Sequence, residues 1–228
     1  MSALVATAAI ALPGCGEDRA TEPAPPPASI QWTTPARPIP GLTQRLVGTG
    51  PRGAAVLWPA GGKPPRDVIV FFHGWLPGPP SSESEWLRHL AMEGNTIVYP
   101  VYQTARGRPE GFRANALAGI RAGLRAVDAD PDRVVAIGRT TGGALAFDYA
   151  AVARSHGLPT PSAVLAVFPG RNPGNGLVTP ADLSRIPSQT RLAVIAGPGD
   201  SIPDGAAQAR ALLRSATRVP AGRRAYLT

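Results

Sequence analysis

Short apolar runs alternate along this chain with longer segments that have helical periodicity. The apolar runs predict strands, most of them buried on both faces of a sheet, and they cover 67–72, 96–99, 133–137, 163–168 and 192–196. Two further segments, 42–47 and 54–58, predict a hairpin around a Gly/Pro turn. A last strand is predicted to begin at Arg224 and reach Leu227.

Helical patterns fill the gaps between these strands. Ser82 and Glu85 have the spacing of a capping box, which predicts a helix start. The 111–127 segment carries one apolar stripe, 142–154 is apolar nearly all round and predicts a helix in the core, and 206–215 predicts a further helix. Strands separated by helices of this length predict an α/β fold, with a mainly parallel sheet and helices on both of its faces.

The N-terminal region predicts export rather than folded structure. Leu4 to Leu12 form an apolar run too short to span a bilayer, and it is followed by Cys15, as in a bacterial lipoprotein signal cleaved before a lipid-carrying cysteine. The alternative is a plain secretory signal with a chance cysteine. Residues 16–40 are rich in proline and predict an extended tether, which leaves 41–228 as the folded domain. We expect an extracytoplasmic protein anchored by lipid to a bacterial cell membrane.

Composition excludes several classes of partner and cofactor. The net charge is +8, but the arginines are scattered without interleaved aromatic residues, which favours a solvated basic surface over nucleic-acid binding. No Cys/His cluster has metal-ligand spacing, so no metal is expected. The Gly48–Gly53 segment matches G-x-G-x-x-G but precedes a strand, so no dinucleotide cofactor is expected either.

The residues that point to chemistry follow the strand at 133–137. Gly138-Arg139-Thr140-Thr141-Gly142 has the form of the G-x-S-x-G nucleophile elbow, with threonine in the serine position. A sharp strand-to-helix turn exposes its central residue, and side chains two positions to either side would collide. The following helix directs the positive end of its dipole to the same place, where an oxyanion would be held. An ordinary βα turn is the alternative.

Two more loops follow predicted strands and meet the same edge of the sheet. His73-Gly74-Trp75 comes after the strand at 67–72, and His73 is expected to be structural rather than a base. Asp200 comes after the strand at 192–196, where a carboxylate would orient a catalytic histidine. The alternative for Asp200 is a solvated turn residue.

The stretches FFHGW, DPDRVVAIGRTTGG and AGPGDSIP, in this order, resemble the α/β-hydrolase superfamily, and its secreted esterase and dienelactone-hydrolase-like members most of all. The resemblance covers about residue 42 to the end. It implies that Thr140 occupies the nucleophile site and Asp200 the acid site. It also implies that the backbone N–H groups of Trp75 and Thr141 form the oxyanion hole, and that the substrate is a small-molecule ester or a related compound.

Two departures from the family pattern change the expected activity. The family's catalytic histidine follows the acid, but this chain has no histidine after Asp200, which predicts a truncated C-terminus without the histidine loop and the final helix. A β-branched residue in the elbow adds backbone strain and crowds the acyl site. We therefore expect an ancestral ester hydrolysis through an acyl-enzyme that is weak or lost, or a non-catalytic binding or scaffold protein. The candidate pocket or core aromatic residues are Trp75, Trp86, Tyr99 and Tyr102.

Overall fold

A single sheet of eight strands organises the computed structural model, which describes residues 37–75, 78–103, 111–170, 179–197 and 205–228. The strands are β1 (Leu42–Val47), β2 (Ala54–Pro59), β3 (Val68–Phe72), β4 (Thr96–Pro100), β5 (Val134–Arg139), β6 (Ala163–Val167), β7 (Arg191–Ile195) and β8 (Arg224–Leu227). Their order is β1-β2-β4-β3-β5-β6-β7-β8. The β1–β2 and β2–β4 pairs are antiparallel and every other pair is parallel, which confirms the predicted mainly parallel sheet.

Helices lie on both faces of the sheet, as predicted. They are α1 (Ser84–Met92), α2 (Phe112–Ala126), α3 (Thr141–Val152) and α4 (Gly205–Ser215). Successive β3 residues point to opposite faces. Val70 and Phe72 therefore join the core formed with α2, α3 and α4, whereas Ile69 and Phe71 pack with α1.

Burial is uneven along the sheet. All residues of β3 and β4 are buried, in agreement with their apolar runs. In β6 and β7 only alternate residues are buried, because α1 is the one helix within the described ranges on its face and it packs against β2–β5. The prediction of strands buried on both faces is therefore wrong for these two strands.

The predicted capping box does not form. The chain first makes a 3-10 turn at Pro80–Glu83, and Glu83 precedes α1 without a side-chain capping bond. The Ser82 hydroxyl instead donates to the carbonyl of Pro79 at 2.7 Å. Ser82 lies within the 3-10 turn, and the N-cap position of α1 is taken by Glu83, so the Ser82 side chain is not at the helix start.

The topology defines two opposite edges of the sheet. At the carboxyl edge the parallel strands end, and at the amino edge they begin. Since β1 is antiparallel to β2 and β2 to β4, β1 also begins at the amino edge. Arg37, the first described residue, and Ile39 therefore lie at this edge, and Ile39 is buried although the sequence places it in the tether. Within the described ranges, no helix combines the length and apolarity needed to cross a bilayer.

Candidate active site

Thr140 stands at the turn between β5 and α3, at the carboxyl edge of the sheet. Its backbone has φ 50° and ψ −121°, a conformation that non-glycine residues rarely adopt. Strain of this kind costs about 1–3 kcal/mol and needs support from its surroundings. Here the Thr140 N–H donates to the Val167 carbonyl at 3.0 Å, and the Thr140 carbonyl accepts from the N–H groups of Gly143 at 2.9 Å and Gly170 at 3.2 Å. The predicted sharp turn is therefore present.

Glycines make this turn possible in the way that the sequence predicts. A Cβ atom at Gly138 would lie 2.2 Å from the Gly142 carbonyl oxygen, and one at Gly142 would lie 2.1 Å from the carbonyl oxygen of His73. Gly74 is equally constrained, because its Cβ would lie 2.6 Å from Thr140 Oγ1. The three glycines let β3, β5 and α3 approach closely enough to present the Thr140 hydroxyl.

The two predicted oxyanion donors lie next to that hydroxyl. The Trp75 N–H donates to Thr140 Oγ1 at 3.2 Å, so the loop after β3 faces the elbow. Thr141 is the first residue of α3, where a backbone N–H has no acceptor within the helix. Both N–H groups are backbone donors at fixed positions, which is what stabilisation of a tetrahedral oxyanion requires.

His73 is a buried core residue. Its ring stacks on Tyr102 at a centroid separation of 4.0 Å, and Nδ1 lies 2.8 Å from the Gly74 carbonyl oxygen, which makes Nδ1 the protonated nitrogen. Desolvation by burial, with a smaller contribution from the neighbouring Arg139, lowers the pKa of His73 to about 4. The ring is therefore neutral near pH 7, and its contacts match the predicted structural role.

Arg139 places a positive charge directly before Thr140. Its Nε and Nη2 atoms both bond Oε1 of Glu83, at 3.1 and 2.7 Å, and Nη2 also lies 3.4 Å from a Cβ placed on Gly74. The ion pair joins the start of α1 to the elbow. The capping-box pattern drew attention to Ser82 and Glu85 and missed Glu83, although a lone arginine inside a glycine-rich turn is a signal for a nearby carboxylate.

None of the chain's 3 histidines makes a hydrogen bond to Thr140. His73 is held by Tyr102, His89 is exposed on α1, and His156 is exposed beyond the far end of α3. The 12 residues of α3 separate His156 from the elbow by about 18 Å, at about 1.5 Å per residue. A general base for Thr140 is not supplied by these side chains.

The predicted acid, Asp200, lies outside the described residues. The chain can be followed through β7 to Gly197, and the Ala196 N–H donates to the carbonyl of Leu227 in β8 at 3.0 Å. This places Gly197 at the carboxyl edge, two strands away from β5 in the sheet order. The predicted lipid attachment residue, Cys15, also lies outside the described residues.

A cleft of about 450 Å³ opens beside the elbow, between α3 and α4. It is lined by Ala144, Gly170, Ala181, Leu183 and Leu212, among others. Gly170 connects it to the site, because the Gly170 N–H bonds the Thr140 carbonyl. The Thr140 side chain is not part of the lining, so the cleft adjoins the backbone of the elbow rather than its hydroxyl.

Of the candidate pocket aromatics, only Trp75 is near the hydroxyl. Trp86 packs edge-on against Phe71, and Tyr99 stacks on the same ring, while Tyr102 is fully buried against His73. These three residues belong to the core. The partly exposed Trp75 instead tilts against Phe112 of α2.

Asp148 is a buried carboxylate that the sequence analysis missed. It lies on α3, 3.6 Å from Arg113 of α2, and its Oδ1 accepts the Ala181 N–H at 3.1 Å. It thereby joins α3, α2 and the segment leading to β7. An aspartate in an otherwise apolar helix is the signal that could have identified it.

Comparison with known proteins finds similarity in structure alone. No family model matches the chain, and no curated protein matches it by sequence. A bacterial heroin esterase has 15% identity and a TM-score of 0.62 over 83% of this chain and 76% of its own. A hormone-sensitive lipase from a metagenome library has 17% identity and a TM-score of 0.61 over 83% and 75%.

A third structure, an esterase from the bacterial hormone-sensitive lipase family, has 21% identity and a TM-score of 0.63 over 84% and 75%. At these identities the likeness concerns the fold. Three features of this chain agree with that likeness: the strand order, the helices on both faces of the sheet, and the elbow at the carboxyl end of β5. This chain has the α/β-hydrolase fold.

Proposed function

We propose that this protein binds a small-molecule ester or a related acyl compound at Thr140, and that its ancestral reaction is ester hydrolysis through an acyl-enzyme. The observation that carries the proposal is the position of Thr140 Oγ1, at a strained elbow and 3.2 Å from the Trp75 N–H. As the chain stands, turnover is weak or absent.

The chemistry follows from the atoms present. Thr140 Oγ1 attacks the acyl carbonyl carbon and gives its proton to water or to a base from solution, while the carbonyl oxygen becomes an oxyanion. Collapse of the oxyanion breaks the ester C–O bond, and the leaving oxygen takes up a proton from the same carrier and departs as the alcohol. The oxyanion would accept from the N–H groups of Trp75 and Thr141. Water then attacks the acyl-threonine and releases the carboxylic acid product. Asp200 is the residue expected to orient a base in this reaction.

Weak turnover follows from the missing base and from the extra methyl group. A hydroxyl stays protonated near neutral pH unless a base accepts its proton. Catalysis of about 10³–10⁴-fold over water typically survives the loss of one triad member, through the oxyanion hole and substrate binding. The Thr140 methyl group further crowds the approach of the acyl group.

The test is hydrolysis of a short-chain aryl ester with and without added imidazole, which supplies a base from solution. After subtraction of the rate with imidazole alone, imidazole is expected to accelerate hydrolysis by the parent protein. Thr140→Ala is expected to abolish this protein-dependent acceleration, and Thr49→Ala to preserve it, because Thr49 is an exposed turn threonine. Thr140→Ser is expected to raise the rate about tenfold, which equals about 1.4 kcal/mol of removed steric opposition. Equal rates for the parent and Thr140→Ala would exclude Thr140 from the reaction.

A non-catalytic binding protein is the second candidate, and the absence of any histidine bonded to Thr140 favours it. A binding protein would release no more product from the aryl ester than imidazole releases in the absence of protein. It would still gain thermal stability from a non-hydrolysable ester analogue, since a ligand that binds only the folded state stabilises it. Product release with imidazole that exceeds the protein-free rate and is lost in Thr140→Ala would decide for the enzyme.

Export and lipid attachment belong to the same proposal. The apolar run before Cys15 and the proline-rich residues after it support an extracytoplasmic protein held to a bacterial membrane by a lipid on that cysteine. Mass spectrometry of the protein purified from membranes tests this placement. A chain that retains residues 1–14 or lacks a lipid-sized mass increase at Cys15 would contradict it.

A further inference from the structure

We propose that the amino edge of the sheet near β6, β7 and β8 docks on an anionic phospholipid bilayer. The surface, here called the arginine face, consists of Arg154, Arg185, Arg191, Arg214, Arg218 and Arg223. The inference builds on the proposed export of the protein and is independent of any activity at Thr140.

The topology collects these arginines at one edge although they are scattered in the sequence. Arg154 follows α3 and Arg214 ends α4, and both helices run from the carboxyl edge back to the amino edge. Arg191 opens β7, and Arg223 precedes β8. All six side chains of the arginine face are exposed.

Few carboxylates compensate these charges. Arg154, Arg185 and Arg218 line a polar cleft of about 610 Å³ that contains no acidic residue. The carboxylate near them is Asp182, whose pKa is lowered first by hydrogen bonds from Ser184 and then by Arg185 and Arg218. Among the described residues, no arginine of the face forms a salt bridge.

The neighbouring part of the amino edge differs. Asp128, Asp130 and Asp132 lie in the turn before β5, and Asp67 pairs with Arg133 at 2.6 Å. Arg66 also lies there, with its Nε bonded to the Asp128 carbonyl at 3.2 Å, so the carboxylates outnumber the arginines among these residues. The excess of positive charge is therefore confined to the half of the edge that belongs to β6, β7 and β8.

The form of the arginine face fits a planar polyanion better than a small anion or a nucleic acid. Three of its side chains share one open cleft, but all six are exposed and spread over several elements, so they do not enclose one buried point. The large hydrophobic side chains that are exposed in the described ranges are Leu46, Met92 and Leu227, none of them aromatic. Stacking platforms for bases are therefore missing from the face.

The position of the N-terminal segment favours the bilayer. Arg37 lies at the amino edge beside β1, five strands from β6 in the sheet order, so residues 1–36 join the domain at the edge that carries the arginine face but at the other end of the sheet. Attachment at Cys15 would hold this edge close to the lipid surface and raise its local concentration there. Basic side chains close to anionic lipid then each add to the attraction.

The test uses the full chain with Cys15→Ser, which removes the lipid, and vesicles of phosphatidylcholine with and without phosphatidylglycerol. Binding is expected only with phosphatidylglycerol, and salt is expected to weaken it by screening. Loss of each arginine near the surface is expected to lower the partition coefficient about fivefold, and Arg185→Gln with Arg218→Gln to lower it about twenty-five-fold. Arg154→Gln with Arg214→Gln repeats the measurement if the first pair fails to fold.

Arg52→Gln with Arg88→Gln is the matched control, because both residues are exposed and lie outside the face. It removes the same charge and is expected to lower the partition coefficient less than about twofold. Equal losses in the two double variants would overturn the proposal, because net charge alone would then explain binding. Absence of binding to phosphatidylglycerol vesicles, or tighter binding to duplex DNA that is lost in the same variants, would also overturn it.

Discussion

Position 142, in the first turn of α3, has no room for a side chain. A Cβ atom there would lie 2.1 Å from the carbonyl oxygen of His73 and 2.3 Å from that of Phe72. An ordinary contact of this kind is at least 3.4 Å long, so Gly142→Ala has to separate α3 from the end of β3 by more than one ångström. Both obstructing atoms are backbone atoms that cannot rotate away, one in the last residue of the fully buried β3 and one in the buried residue that follows it.

The energetic cost follows from this immobility. Overpacking usually costs about 1–3 kcal/mol, and the rigidity of the obstructing backbone puts this substitution at or above the upper end, near 3 kcal/mol. In a domain of this size each kcal/mol lowers the melting temperature by about 2–4 °C, so Gly142→Ala is expected to melt about 10 °C below the parent.

Urea and thermal denaturation followed by far-ultraviolet circular dichroism measure this change. The control is Gly222→Ala, since a Cβ at position 222 meets nothing within 4 Å. Its stability is expected to stay within about 0.5 kcal/mol of the parent. If Gly142→Ala were as stable as Gly222→Ala, the close approach of α3 to β3 would be wrong, and with it the position of the elbow.

Three further predictions concern charged and titratable groups. Acidification from pH 6.5 to 4 is expected to remove about 3 kcal/mol of stability through His73, because the pKa of His73 is lowered to about 4 in the folded state and the unfolded chain therefore binds the proton first. His73→Phe is expected to flatten the dependence of the urea midpoint on pH, whereas the control His89→Asn is expected to leave it unchanged. Glu83→Gln is expected to lower the free energy of unfolding in urea by about 0.5–1 kcal/mol, a small loss because the Arg139 side chain is 43% exposed. A double-mutant cycle with Arg139→Met that shows no coupling would refute the ion pair. Asp148→Asn is expected to cost about 3 kcal/mol, because it leaves Arg113 without its buried partner, and a loss below about 0.5 kcal/mol would contradict that role.

The fold could be predicted from the sequence because the spacing of apolar residues reflects which faces of each strand and helix are buried. The runs at β3 and β4 are apolar throughout since both faces of these strands are covered, and the helix at α3 is apolar because it lies in the core. The same rule failed at β6 and β7. Apolar side chains there face a side of the sheet that α1 does not reach, and composition alone does not report which helix covers which strand.

The elbow could be predicted as well, because its glycines are imposed by contacts between neighbouring strands. What the sequence could not provide was the identity of long-range partners. The pairing of Arg139 with Glu83 joins residues 56 positions apart, and that of Asp148 with Arg113 depends on how α2 and α3 pack. Local spacing pointed to Ser82 and Glu85 instead, because a capping pattern is visible in sequence whether or not the bond forms.

The direction of β5 has a consequence for which molecules can be substrates. Its 6 residues rise by about 20 Å, at about 3.3 Å each, from the amino edge to Thr140. On a bilayer-bound molecule the hydroxyl would therefore stand clear of the headgroups below and open toward the surrounding fluid. Phospholipids of the supporting membrane would be out of reach, and compounds that diffuse in solution or belong to a facing layer of the cell envelope would be the ones to encounter it.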